Sequence, residues 1–452
     1  MPRPFHEFAA GLSYDDLPAD VLRVLRRSFL DTMGVAAVAS RSDMAGIART
    51  AALALFGPGA AGGSRILMHG DRVSPAGAAM AGAMTIDSVD AHDGTSPCKG
   101  HAGSAVFPAL LAVADIRNDL QGSDFAVLLA IAYEVSYRAG LAQHATCADY
   151  HTSGAWTATG VATACARALG GTAGQIRHAA GIGEYHGPRS QMMRCIDHPT
   201  MLRDGVGWGA PSGVTAAWLA LAGFTGAPAL TCEEAPAFWD DLGSAWRLVE
   251  DTHYKPYPCC RWAHPAIDAA ADIMRGNGLH HSDVASVEIR TFHNATRLAG
   301  HTPASPDEFA YSIAFPVATM IVRGQVGVAE LAAETLEDPD ILRISRATEL
   351  VDDEHFTAIS IGKRWAGVSI RTKDGRELST DARTPRGDTD IPLSDDEISD
   401  KFHLFADPVM GRARADELEA LCGRFDQLNA SDFSRLRDLC LTGADAPVSA
   451  VS

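Results

Sequence analysis

The densest run of titratable side chains is Asp87, Asp90, His92, Asp93, Lys99 and His101, at the end of one helical pattern and through a glycine-containing loop. Buried together, a carboxylate and an imidazole can trade a proton near neutral pH, and Lys99 can offset a charge on the substrate. The plainer alternative is a solvated acidic loop in which His101 caps the helix that follows. Asp90, His92, Asp93 and His101 also have the donor types of a metal-dependent lyase, which would carry stoichiometric metal; the expected set of metal ligands is nonetheless none.

Three further segments have suitable chemistry. Tyr150, His151, Thr152 and Ser153 precede an apolar helix that Thr152 or Ser153 could cap, leaving the His151 imidazole near a positive helix end that attracts anions. Met201 to Gly205 leads into Gly207, Trp208 and Gly209; Arg203 could grip a carboxylate with two parallel hydrogen bonds while Asp204 orients it, or the two could form an ordinary surface pair. Lys255, Pro256, Tyr257, Pro258, Cys259 and Cys260 continue through Arg261 and Trp262 to His264. That stretch is either a proline-stiffened linker or part of a cleft between domains. Its adjacent cysteines lack the spacing of a zinc site, and buried inert thiols are commoner than nucleophiles. The chain has no Walker loop, GxSxG elbow or HExxH pair, so nucleotide, acyl-serine and zinc-protease chemistry lose ground.

The elements that position these residues change character along the chain. Up to about residue 255 the pattern is helical and rich in Ala and Gly. Leu22, Leu25, Phe29 and Met33 recur on one face behind Pro18 and Asp20, and Ser74 with Pro75 reads as an N-cap and first helical residue. Phe125 to Tyr137, His151 to Leu169 and Pro211 to Leu221 read as further helices. From residue 280 strands appear: Val284, Val287, Ile289 and Thr291 alternate with polar residues, and Asp374-Gly375 sits between two alternating segments as a hairpin turn requires. Ser394 and Glu397 then have capping-box spacing at a new helix. The order helix, α/β, helix suggests a middle segment inserted into a helical domain, although an independent helical tail would read identically.

Composition narrows the class. With 452 residues, two domains are the prior; 46% apolar and 21% charged residues describe a folded globular chain. The net charge of −18 without a Lys/Arg run argues against nucleic acid, and requires an anion-binding site to gather its own basic groups at short range. Apolar stretches such as 126–133 and 214–224 are shorter than a bilayer span, so no membrane segment is expected. Nine irregularly spaced cysteines and no export signal point to the cytoplasm.

In their shared order, DSVDAHDGTSPCKGHAGSAVFPALLA, YHTSGAWTATGVA, MLRDGVGWGAPSGVTAAWLALAGFTGAP, YKPYPCCRWAHPAIDA and TPRGDTDIPLSDDEISDKF resemble the MmgE/PrpD family, which includes 2-methylcitrate dehydratase, cis-aconitate decarboxylase and iminodisuccinate epimerase. The likeness spans nearly the whole chain. It implies a mainly α fold: a large all-helical domain from residues 1–259 and 393–452, with a smaller inserted α/β lid over 260–392, a homodimer and an active site between the domains. By motif position the family's acidic loop and histidine fall on Asp90, Asp93 and His101, its second histidine on His151, its basic residues on Arg203 and Lys255. Two departures stand out: many relatives have Lys where Arg203 stands, and the decarboxylases have His where Cys260 aligns. An arginine stays charged, so Arg203 would hold substrate and not exchange a proton.

The expectation is a cofactor-free lyase in which Arg203 and Lys255 hold a small polycarboxylate, with Lys99 and Cys260 nearby, while His101 or His151 moves a proton at the adjacent carbon. Dehydration of a 2-methylcitrate-like acid leads; epimerisation and decarboxylation share its carbanion logic. A catalytically silent binding protein is the alternative of another class.

Overall fold

In the computed structural model, which describes residues 3–60 and 62–443, the expected spacing behind Pro18 becomes helix α1, Ala19–Ala39. Leu25, Phe29 and Met33 are fully buried on its inner face, and Leu22 lies half-buried at the rim. Ser74 caps α2, Pro75–Asp87, by accepting the Gly77 N–H at 3.2 Å. Helices α3 (Gly103–Ile116), α4 (Gly122–Thr146), α5 (Gly154–Ala168) and α6 (Val206–Leu221) complete the first helical group. Helices α5 and α6 approach through glycines: a Cβ at Gly209 would stand 2.7 Å from the Gly154 Cα, and one at Gly213 equally close to Val161. Small residues here permit backbone contact that any side chain would prevent.

Two expectations change. Helix α6 begins at Val206, with Pro211 inside it, because Gly205 at φ +72° turns the chain into the helix from the preceding loop. The poor helix propensity of Gly207 and Gly209 hides that start from pattern reading. Helix α4 is, by length and composition, long and apolar enough to cross a membrane, although no single run within it suggested so. Its most apolar window is 94% buried inside the protein, which makes its apolarity core packing.

The chain divides into two units. The first comprises the described residues of Met1–Met192, Arg203–Thr252 and Ser394–Ser452; the second comprises Met193–Leu202 and His253–Leu393. Within the first unit the C-terminal helices return to pack on the N-terminal part: Phe29 meets Phe107 at 5.0 Å and Phe425 at 5.2 Å between ring centroids. Asp426 takes a two-pronged contact from Arg26, 2.7 Å on each arm, and a 2.8 Å bond from Tyr14. The helix Asp395–Met410 opens with the expected capping box of Ser394 and Glu397.

The second unit carries a four-stranded sheet of β1 (Val284–Thr291), β2 (Thr348–Asp352), β3 (Ala366–Thr372) and β4 (Glu377–Ser379), in the order β2-β1-β3-β4. The β1/β2 pair is parallel and needs the helical crossover between them; the other two pairs are antiparallel. Asp374-Gly375 forms the β3/β4 hairpin turn with Gly375 at φ +91°, as expected. This unit begins at His253 and takes in Met193–Leu202, segments that the expected boundary at residue 260 assigned to the helical part.

Candidate active site

The acidic run is not a solvated loop. Asp87, Asp90, His92 and Asp93 are all buried, and the loop folds so that both histidines address one main-chain oxygen. The Asp93 carbonyl lies 2.9 Å from His101 Nδ1 and 3.2 Å from His92 Nδ1, and the two rings meet edge to face with centroids 4.5 Å apart. A carbonyl only accepts, so Nδ1 of each ring carries the hydrogen. In neutral His101 this leaves the lone pair on Nε2, and the side chain keeps 13% of its surface exposed, enough to be reached. His92 is fully buried and its Nε2 lies 3.3 Å from Asp87, so acceptors occupy both of its nitrogens.

His101 Nε2 stands 4.0 Å from Asp90 Oδ1 and 4.0 Å from Asp204 Oδ2. Ser153 connects these parts: its Oγ accepts the His101 backbone N–H at 2.9 Å and donates a short hydrogen bond to Asp204. Ser153 occupies the N-cap position of α5 without capping it, and His101 does not cap α3, whose N-cap is Ala102. Both capping expectations fail because these groups serve the tertiary network. Asp204 faces Ser153 and His101, and its backbone N–H donates to Asp87 at 3.1 Å, a fuller role than orienting Arg203. Burial, then the neighbouring charge of Asp87, raises the Asp204 carboxyl to about 8 despite the bond from Ser153.

Asp93 presents its carboxyl elsewhere. Tyr133 donates to it at 2.5 Å and Ser28 adds a second hydrogen bond; burial outweighs both and raises it to about 6. Gly103 must lack a side chain here, since a Cβ would collide with the Asp93 carboxyl and the Tyr133 hydroxyl.

Arg203 and Lys99, both non-glycine, adopt left-handed backbone, φ +49° and +56°. This costs each about 1–2 kcal/mol and is commonest at functional sites. Arg203 is buried and donates to the Ser88 carbonyl at 3.1 Å, which sets its guanidinium beside the end of α2. Lys99 is half-buried, its ammonium 5.4 Å above the Tyr150 ring, while Tyr150 donates to the Lys99 carbonyl. His151 is buried and forms a bridge with Gln191; burial, reinforced by Arg189, lowers its pKa and favours the neutral ring. Thus Asp90, His101 and Asp204 share one cluster, which Asp93 joins through its main-chain carbonyl and Arg203 as the neighbour of Asp204 in the chain, and His151 belongs to the same segment as Ser153.

Lys255 and Cys260 lie in the second unit. Lys255 is fully buried, with Nζ 3.4 Å from the Cys259 carbonyl; Cys260 donates its N–H to Ala310 at 2.8 Å. The late TPRGDTD segment braces this stretch: Arg261 grips Asp388 at 2.6 Å and the Tyr254 N–H donates to Gly387. A Cβ on Gly387, at φ +101°, would collide with the Tyr254 carbonyl.

Pattern reading missed Lys401 and Tyr133. Buried Lys401 bonds Asp31 at 2.6 Å and the Ala91 carbonyl at 2.5 Å, anchoring the loop between Asp90 and His92. Its signal was a lysine on the same helical face as Ile398, Phe402 and Phe405.

Residues 3–245 match the MmgE/PrpD N-terminal domain and residues 257–426 the MmgE/PrpD C-terminal domain. The chain belongs to the MmgE/PrpD family. This MmgE/PrpD member is 23% identical over 98% of its length to cis-aconitate decarboxylase of Aspergillus terreus, covering 96% of that protein. It is 22% identical to a cis-aconitate decarboxylase-like protein of Aspergillus oryzae, over 90% of this chain and 91% of the relative. Human cis-aconitate decarboxylase is 23% identical, over 88% of this chain and 86% of its own.

Proposed function

We propose that this MmgE/PrpD member is a lyase that eliminates water from a small hydroxylated polycarboxylate, starting with removal of a proton beside a carboxylate. The observation carrying this reading is the His101 Nδ1 contact with the Asp93 carbonyl, which in the neutral ring leaves the lone pair on Nε2, facing Asp90 and Asp204, as a base. Arg203, with its permanent charge, holds a substrate carboxylate and stabilises the charge that develops on the adjacent carbon. His151, favoured as the neutral ring, is the second proton-transfer group. Lys99 is a further carboxylate partner, and the reading includes a homodimer, measurable by light scattering.

Decarboxylation is the second reading, because the relatives named above are cis-aconitate decarboxylases or are described as like them. Elimination is preferred because Cys260 stands where the decarboxylases are expected to have histidine, and Arg203 where many relatives have lysine. The test is incubation of purified protein in deuterated water with citrate-like, aconitate-like and aspartate-derived acids, followed by proton NMR. Deuterium entering the carbon beside a carboxylate supports proton abstraction. Undiminished turnover in both His101→Ala and His151→Ala would remove the assignment, and a protein that binds an acid without labelling it is a binder only.

A further inference from the structure

We infer that Asp204 is the general acid of the elimination, a neutral carboxyl that protonates the departing hydroxyl while His101 takes the proton from carbon. The inference rests on the proposed lyase reading and adds the second half of its chemistry.

Three geometric observations support it. Asp204 is 3% exposed and one edge of its carboxyl is occupied, since Ser153 donates to Oδ2. Because Ser153 gives its hydrogen to Oδ2, a proton held by Asp204 sits on Oδ1. Oδ1 is buried and meets no hydrogen-bond partner among the described residues. A buried polar oxygen without a partner costs about 1–3 kcal/mol, and a substrate oxygen would relieve that cost. Third, His101 Nε2 stands 4.0 Å from Asp204 Oδ2, so base and acid are neighbours in one cluster.

The groups around Asp204 keep it protonated. Asp87 and Asp90 are the carboxylates nearest in effect, Ser153 is its donor, and His101 is the facing imidazole. Burial and the two like charges oppose a third carboxylate, which is why its pKa rises to about 8.

The step balances. The proton first passes to His101 Nε2 and leaves its C–H electron pair on the carbon beside the carboxylate, as a carbanion that can be reprotonated; that pair then becomes the new C=C bond. The C–O bond breaks with its electron pair on oxygen, and that oxygen takes the Asp204 proton and leaves as water. His101 is then an imidazolium and Asp204 a carboxylate, and transfer of one proton between them restores both.

The test compares the full-length wild type with Asp204→Asn, reading deuterium wash-in beside the carboxylate and formation of the unsaturated acid by ultraviolet absorbance. Wash-in needs only the base; elimination needs both groups. Asp204→Asn should keep wash-in within about threefold and lose elimination by about 10²–10⁴-fold. Wild-type elimination should decline above about pH 8, and Asp204→Asn should lack that limb. Ser153→Ala removes a bond that lowers the Asp204 pKa, so its alkaline limb should move to higher pH. A substrate analogue whose leaving group needs no proton should restore Asp204→Asn. Equal loss of wash-in and elimination, or elimination with an unchanged alkaline limb in Asp204→Asn, would overturn the acid role. A wild type that labels no acid would instead overturn the lyase reading and the acid role with it.

Discussion

The Nδ1 atom of His101 is bonded to the main-chain carbonyl of Asp93, 2.9 Å away, and not to its carboxyl. The ring is therefore oriented by backbone, a partner that substitution of the Asp93 side chain leaves in place.

Asp93→Asn should accordingly retain most activity, within about tenfold, because Asn still accepts from Tyr133. His101→Ala should lose about 10²–10⁴-fold. Steady-state rates on the substrate found by deuterium exchange decide this, and losses of equal size would contradict the backbone role.

Stability should fall as pH rises from about 4 to about 8. Asp93 and Asp204 titrate near 6 and 8 when folded, well above an unfolded aspartate, so the native state holds protons that unfolding releases. Each group contributes at most about 1.4 kcal/mol per pH unit between its unfolded value of about 3.9 and its folded value, and nothing further above the latter. Urea unfolding at several pH values should show a shallower slope for Asp204→Asn than for the wild type; parallel slopes would refute the assignment.

Arg203→Gly should damage function without raising the thermal midpoint, since the relief of strain at φ +49° is offset by loss of the buried side chain and of its bond to the Ser88 carbonyl. Losing a charged hydrogen bond worth about 1.5–3 kcal/mol predicts a fall of roughly 10–100-fold in kcat/KM. Arg203→Lys keeps the charge without the fork and should fall between the two. Calorimetry and kinetics on the same preparations test both parts, and a clear rise in the midpoint of Arg203→Gly would contradict the offset.

Lys401→Met should destabilise the protein by about 3–5 kcal/mol by stranding the buried Asp31 carboxyl and the Ala91 carbonyl. Lys401→Met with Asp31→Leu should recover most of that loss, because an apolar pair replaces a buried ion pair at little cost. Denaturation midpoints measure both, and a double variant no more stable than the single one would count against the pairing.

Local physics was legible in the residues alone. Ser74 and Ser394 cap their helices, Asp374-Gly375 turns a hairpin, and the face from Leu25 to Met33 is buried, because each is decided within a few residues of chain. The family motifs also singled out Asp90, Asp93, His101, His151 and Arg203 without contact information.

Tertiary structure alone decided what those groups meet. Ser153 reads as a helix cap from its neighbours, yet its hydroxyl joins His101, 52 positions before it, to Asp204, 51 positions after. Lys401 reads as a misplaced surface charge, yet it holds the carbonyl of Ala91, 310 positions away. A helix cap depends on adjacent backbone and can be read from adjacent residues. A raised carboxyl or a fixed tautomer depends on burial and on the direction of one donor or acceptor, which arise only when distant segments close over the same volume.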